Sequence, residues 1–181
     1  METKMNAAAL RSHQPSAASR QFKNKLVRNE IYIVLDNVLD TYNIGSIFRL
    51  ADAVSAKKVY LCGGSATPPN ARIKKASINT TEWVEWEYAG STLELIRNLK
   101  FKIKNLKFIA IEQSSRSIQY NKFGYKMPVC LIVGNETSGV SKEALEMADA
   151  VVEIPMYGVN ISLNVMVSLG IVLYQVMSSS R

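Results

Sequence analysis

At 181 residues, 48% apolar and 20% charged, the chain has the make-up of one globular domain long enough to bury a full core. Its only histidine is His13 and its two cysteines are Cys62 and Cys130, which leaves no ligand set for zinc, so no metal is expected, and no histidine for a nucleophilic triad. The net charge of +7 points to an anionic partner.

That charge is unevenly spread. Lys4, Arg11, Arg20, Lys23, Lys25 and Arg28 face only Glu2 and Glu30 in the first thirty residues, whereas residues 129–178 hold one base, Lys142, against five acids. Residues 1–28, rich in Ala, Ser, Gln and Asn, read as a basic flexible arm, and 29–181 as the folded domain. The arm has no apolar run of the length a cleaved signal requires, and two thiols at apolar strand positions suit a reducing compartment; a cytoplasmic location is expected.

In chain order, Ile31 to Leu35 is a short apolar strand entering a polar loop, Asp36 to Asn43. Ile44, Ile47, Phe48 and Ala51 then recur at helical spacing, which predicts a helix with Asn43 at its N-cap and Arg49 on the face away from the core. Lys58 to Cys62 is a second strand, closed by Gly63-Gly64; the spaced third glycine of a dinucleotide loop is missing. From Pro68 to Thr81 the chain is polar and basic, with Arg72, Lys74 and Lys75. Trp83, Trp86 and Tyr88 follow in an extended stretch, either as core packing or as a base-stacking platform. Ser91 to Lys100 is an amphipathic helix and Phe108 to Ile111 a strand.

Val129 to Val133 is a buried strand ending in Gly134 and the loop Asn135 to Gly139, and Val151 to Ile154 is another, stopped by Pro155. Leu163 to Met177 is apolar on nearly every face, without a charge between Glu153 and Arg181, so it should be covered all round by the fold, a partner subunit or both. At about 15 residues it is shorter than the ~20 of a membrane span. The pattern is that of an α/β domain with a mainly parallel sheet, which binds ligands at the carboxyl ends of its strands, here Ile111, Gly134 and Ile154. The polar residues near those ends are Asn43, Arg49, Glu136, Ser162 and Asn164. An arginine there suits a phosphate or carboxylate.

Three stretches carry a resemblance: Asn43-Ile44-Gly45-Ser46-Ile47-Phe48-Arg49 with Ala51-Asp52-Ala53; Val133-Gly134-Asn135-Glu136-Thr137-Ser138-Gly139-Val140-Ser141; and Ile154-Pro155-Met156-Tyr157-Gly158 with Ser162-Leu163-Asn164-Val165. They resemble, in order, the three motifs of the SpoU or TrmH-like RNA ribose 2′-O-methyltransferases of the SPOUT superfamily, over Ile31 to Met177.

The resemblance implies a parallel sheet flanked by helices with a C-terminal trefoil knot, S-adenosylmethionine as cofactor, and a homodimer with Leu163 to Met177, including Val167 and Leu173, at the subunit contact. By matching position it implies cofactor contacts at Ile111, Gly134, Ile154, Ser162 and Leu163. It implies Arg49 as the catalytic arginine, as base or as positioner, with Asn43 supporting it and Asn164 structuring the pocket. Glu136 and Ser162 match further polar positions; Glu136 would pair with a base of the partner subunit or brace its loop. RNA capture would rest on the arm, the Arg72 to Lys75 stretch and the partner. That points to tRNA, with ribosomal RNA, or an inactive RNA-binding protein, as alternatives.

Overall fold

The computed structural model describes residues 27–179, so the arm lies outside the described residues except for Val27 and Arg28. Seven strands form one sheet, all pairs parallel: β1 (Asn29–Asp36), β2 (Ala56–Cys62), β3 (Trp86–Ala89), β4 (Lys107–Ile111), β5 (Ile118–Gln119), β6 (Val129–Gly134) and β7 (Ala150–Glu153), in the order β3-β2-β1-β6-β4-β7-β5. Among the described residues five α-helices accompany it: α1 (Thr41–Ala53), α2 (Ala71–Ser77), α3 (Thr92–Lys102), α4 (Lys142–Met147) and α5 (Val165–Ser179).

The central strands carry unbroken apolar runs, Ile31 to Leu35 in β1 and Val129 to Val133 in β6, because both faces are covered. Ile31, Ile33 and Leu35 of β1 join Ile44, Ile47 and Phe48 of α1 and Leu169, Val172 and Leu173 of α5 in one core. Tyr32 and Val34 face the other way, with Leu95, Ile96 and Leu99 of α3 and Ala144 of α4. Cys62 and Cys130 are buried free thiols in this second core. Burial pushes Cys62 up to about 11 and Cys130 well above the ordinary thiol value, so neither is a nucleophile at neutral pH.

The sequence reading differs from the fold in several places. The cap of α1 is Asp40, whose carboxylate accepts from Tyr42 N at 2.7 Å; Asn43 lies inside the first turn. An aspartate three residues upstream supplies the capping oxygen that the helical spacing predicts at Asn43. Helix α2 forms within the polar Pro68 to Thr81 stretch, capped by Asn70. It packs so closely on α1 that a Cβ on Gly45 would stand 2.5 Å from Ala76 Cβ and 2.8 Å from Ile73 O. Trp83 and Trp86 pack against the first core, and only Tyr88 is half exposed.

The last helix is covered on one side only. Leu173 is fully buried in the subunit's own core, which corrects its placement at a subunit contact, whereas Val167 is 40% and Tyr174 57% exposed. No helix among the described residues is long and apolar enough to cross a membrane.

Candidate active site

The carboxyl ends of β1, β4, β6 and β7 converge, with Asp36 and Gly134 in register at the ends of β1 and β6. This is where the sheet's connections diverge to either side, the position at which open parallel sheets hold ligands. A cavity of about 730 Å³ opens there, within the range of small-molecule sites. All five residues expected to touch the cofactor, Ile111, Gly134, Ile154, Ser162 and Leu163, line it, as do Glu136 and Asn164.

The loop after β6 is built tightly. Asn135 and Gly139 exchange backbone hydrogen bonds at 3.0 and 2.9 Å, and Asn135 Oδ1 accepts from Thr137 N at 2.9 Å and Ser138 N at 3.0 Å. Gly139 turns the chain at φ +70°, a conformation that favours glycine. A Cβ on Gly134 would meet the Gly139 carbonyl carbon and Val140 N at 2.1 Å. The space that makes Gly134 necessary is therefore filled by the protein's own loop, rather than kept open for the ligand.

Glu136 braces the neighbouring loop. Its carboxylate accepts from Leu39 N at 3.1 Å, Asp40 N at 3.0 Å and Asn43 Nδ2 at 3.0 Å. Partial burial works to raise its pKa, but these bonds to the charged form outweigh it and hold the group below the usual glutamate value. Asn164 Nδ2 donates to Asn43 Oδ1 at 3.0 Å, and Asn164 Oδ1 accepts from Met166 N at 2.9 Å, capping α5. Asn43, Glu136 and Asn164 thus form one hydrogen-bonded chain across the three motifs.

Arg49 is the exception. It is exposed on α1 and does not line the cavity, and its backbone lies about 9 Å along the helix axis from that of Asn43. Ser162 sits exposed on the cavity's edge.

Three site residues escaped the sequence reading. Asp36 is 1% exposed; Oδ1 accepts from the Thr92 hydroxyl at 2.6 Å and Oδ2 from Ser141 N at 2.8 Å, tying β1 to α3 and to the start of α4. Glu112 Oε2 accepts from Val140 N at 2.9 Å. Gln113 Nε2 donates to Ile161 O, linking the end of β4 to the loop after β7. An acid directly after an apolar strand was the available signal for Asp36 and Glu112; nothing local marks Gln113.

The cavity offers apolar walls at Ile111, Val133, Ile154 and Leu163 and carboxylates at Glu112, Glu136 and Glu153. That donor set suits a ligand with a flat apolar ring and a positive centre, which S-adenosylmethionine has. Among the described residues, no group of acids, histidines or cysteines could hold a metal ion.

Comparison with known proteins agrees with this geometry. The profile of the SpoU rRNA Methylase family matches residues 30–174. The tRNA (guanosine(18)-2′-O)-methyltransferase of Aquifex aeolicus is 34% identical over 154 residues, covering 82% of this chain and 69% of that protein. The crystal structure of the A. aeolicus TrmH/SpoU tRNA modifying enzyme superimposes with a TM-score of 0.75 at 30% identity, over 88% of this chain and 83% of that one. An AdoMet-bound rRNA methyltransferase from Sinorhizobium meliloti superimposes with a TM-score of 0.76 at 28% identity, over 98% of this chain but only 62% of its own. With the strand order, the convergent loops and the matched span in agreement, the chain belongs to the SpoU methylase family.

Proposed function

We propose that the protein methylates a ribose 2′-hydroxyl of tRNA and acts as a homodimer. Family membership makes it an S-adenosylmethionine-dependent RNA methyltransferase, and the A. aeolicus relative, named for a tRNA nucleotide, supports tRNA as the substrate. The observation that carries the reading is the Glu136–Asn43–Asn164 chain, which joins the cavity loops to the helix bearing Arg49.

Bound S-adenosylmethionine supplies a methyl group made electrophilic by its sulfonium. Ile111, Ile154 and Leu163 would hold its ring, and the Glu136 and Glu112 carboxylates would favour its positive charge. Arg49, exposed and cationic, holds a phosphate of the RNA and orients the adjacent ribose hydroxyl toward the cavity. Glu136 braces the loops in its own subunit and needs no basic partner from the second.

The homodimer reading rests on apolar side chains that the subunit leaves in water: Tyr157 at 94%, Val159 at 100% and Ile161 at 82% exposure, together with Val167 and Tyr174 on α5. The C-terminal knot belongs to the same reading.

The test is mass spectrometry of nucleosides from separated tRNA and ribosomal RNA of a deletion strain. Loss of one 2′-O-methylated nucleoside from tRNA is expected. Loss from ribosomal RNA alone would transfer the assignment to the reading that the S. meliloti enzyme favours.

A further inference from the structure

Residues 97–107, from the last turns of α3 to the first residue of β4, contain Arg97, Lys100, Lys102, Lys104 and Lys107 and no acid. All five are exposed. Lys107 pairs with Asp149 at 3.5 Å, and Lys100 Nζ donates to Met147 O at 2.8 Å. Arg97, Lys102 and Lys104 have no acid within ion-pair distance among the described residues.

Phe101 stands among them at 93% exposure. The phase of α3 explains its direction but not its presence. Leu95, Ile96 and Leu99 are buried, while Arg97 and Phe101, four residues apart, share the outward face. Lysines in a last helical turn complement the helix dipole, which accounts for Lys100 and Lys102. It accounts for neither Arg97, Lys104 nor an aromatic ring in water.

Cations outside any ion pair beside an exposed aromatic complement a single-stranded polyanion: phosphates take the cations and an unpaired base takes the ring. Lys107 opens β4 and Ile111 closes it at the cavity, so the patch lies at the opposite end of the sheet, about 13 Å along the strand. We propose that Arg97, Phe101, Lys102 and Lys104 form a second RNA contact, separate from the methylation site, which anchors an unpaired segment of the substrate. This rests on the reading that the substrate is RNA.

The experiment is filter binding of unfractionated tRNA to the full chain across a salt series, with calorimetry of S-adenosylmethionine binding alongside. Phe101→Ala should weaken tRNA binding on the order of ten-fold. Lys102→Gln with Lys104→Gln should reduce the slope of log affinity against log salt by roughly 1.5. Cofactor affinity and melting temperature should stay at wild-type values in both, because the altered side chains are exposed. The pair Lys122→Gln with Lys142→Gln removes the same charge elsewhere and should change the slope less. Wild-type tRNA binding by both patch variants, an equal slope change in the control pair, or a changed sedimentation coefficient that makes the patch a subunit contact would each overturn the inference. Failure of the wild-type protein to bind tRNA would instead overturn the function reading on which it rests.

Discussion

Asn164 Nδ2 donates to Asn43 Oδ1 at 3.0 Å across 121 positions of sequence, and the same Asn43 amide donates through Nδ2 to Glu136. One buried side chain therefore fixes the entrance of α5 relative to α1 and the loop after β6. Its two ends have opposite polarity, so only an amide satisfies both partners.

Asn43→Ala should leave Asn164 and Glu136 each one partner short and cost about 1–3 kcal/mol, read from the urea midpoint at neutral pH. Asn43→Asp should be worse there, since it sets a carboxylate beside that of Glu136, and should recover part of the loss as pH falls. An Asp variant as stable as wild type at neutral pH would contradict the amide assignment.

The Glu136 carboxyl is depressed below its ordinary 4.5, so its contribution is present above that value and disappears as pH falls through the lower folded-state value. The gap in urea midpoint between wild type and Glu136→Gln should be widest near neutrality and close in acid. A pH-independent gap would assign the effect to packing.

On the proposed reading, Arg49 acts on the RNA. Arg49→Lys keeps the charge but loses the planar fork, so it should fail nearly as badly as Arg49→Ala in single-turnover methyl transfer at saturating enzyme. Cofactor affinity by calorimetry should stay within a few-fold of wild type, because Arg49 is not part of the cavity wall.

Gly134→Ala should displace the backbone of Gly139 and Val140, which a Cβ would approach to 2.1 Å. The expected result is a stability loss of roughly 1–3 kcal/mol together with cofactor binding weakened at least ten-fold, with the far-ultraviolet dichroism of the sheet retained. Unchanged cofactor affinity would mean that the loop does not shape the pocket.

Val167 and Leu173 separate assembly from folding. Val167→Glu changes a residue 40% exposed in the subunit and should yield a folded monomer in sedimentation. Leu173→Glu buries a charge in the subunit's own core and should prevent folding. A dimeric Val167→Glu protein would move the subunit contact away from this face.

Much of the architecture was legible in one dimension. Strands buried on both faces carry unbroken apolar runs, so Ile31 to Leu35 and Val129 to Val133 declared themselves, and Gly63, Gly134 and Pro155 marked where three of the loops begin. The identity of the loop residues as one site was legible too, through motif order. The tertiary structure decided what pairing at a distance decides. Asp40 rather than Asn43 caps α1, because Asn43 is claimed by Glu136 and Asn164, partners 93 and 121 positions away. Asp36 and Gln113 enter the site only because β1 lies against β6 and β4 against β7, bringing Ser141 and Ile161 within hydrogen-bond reach. The all-apolar last helix could not say which of its faces its own core would bury. Apolarity records that a surface avoids water, whereas the choice between Leu173 and Val167 follows from which face of α5 packs into the core shared with β1 and α1.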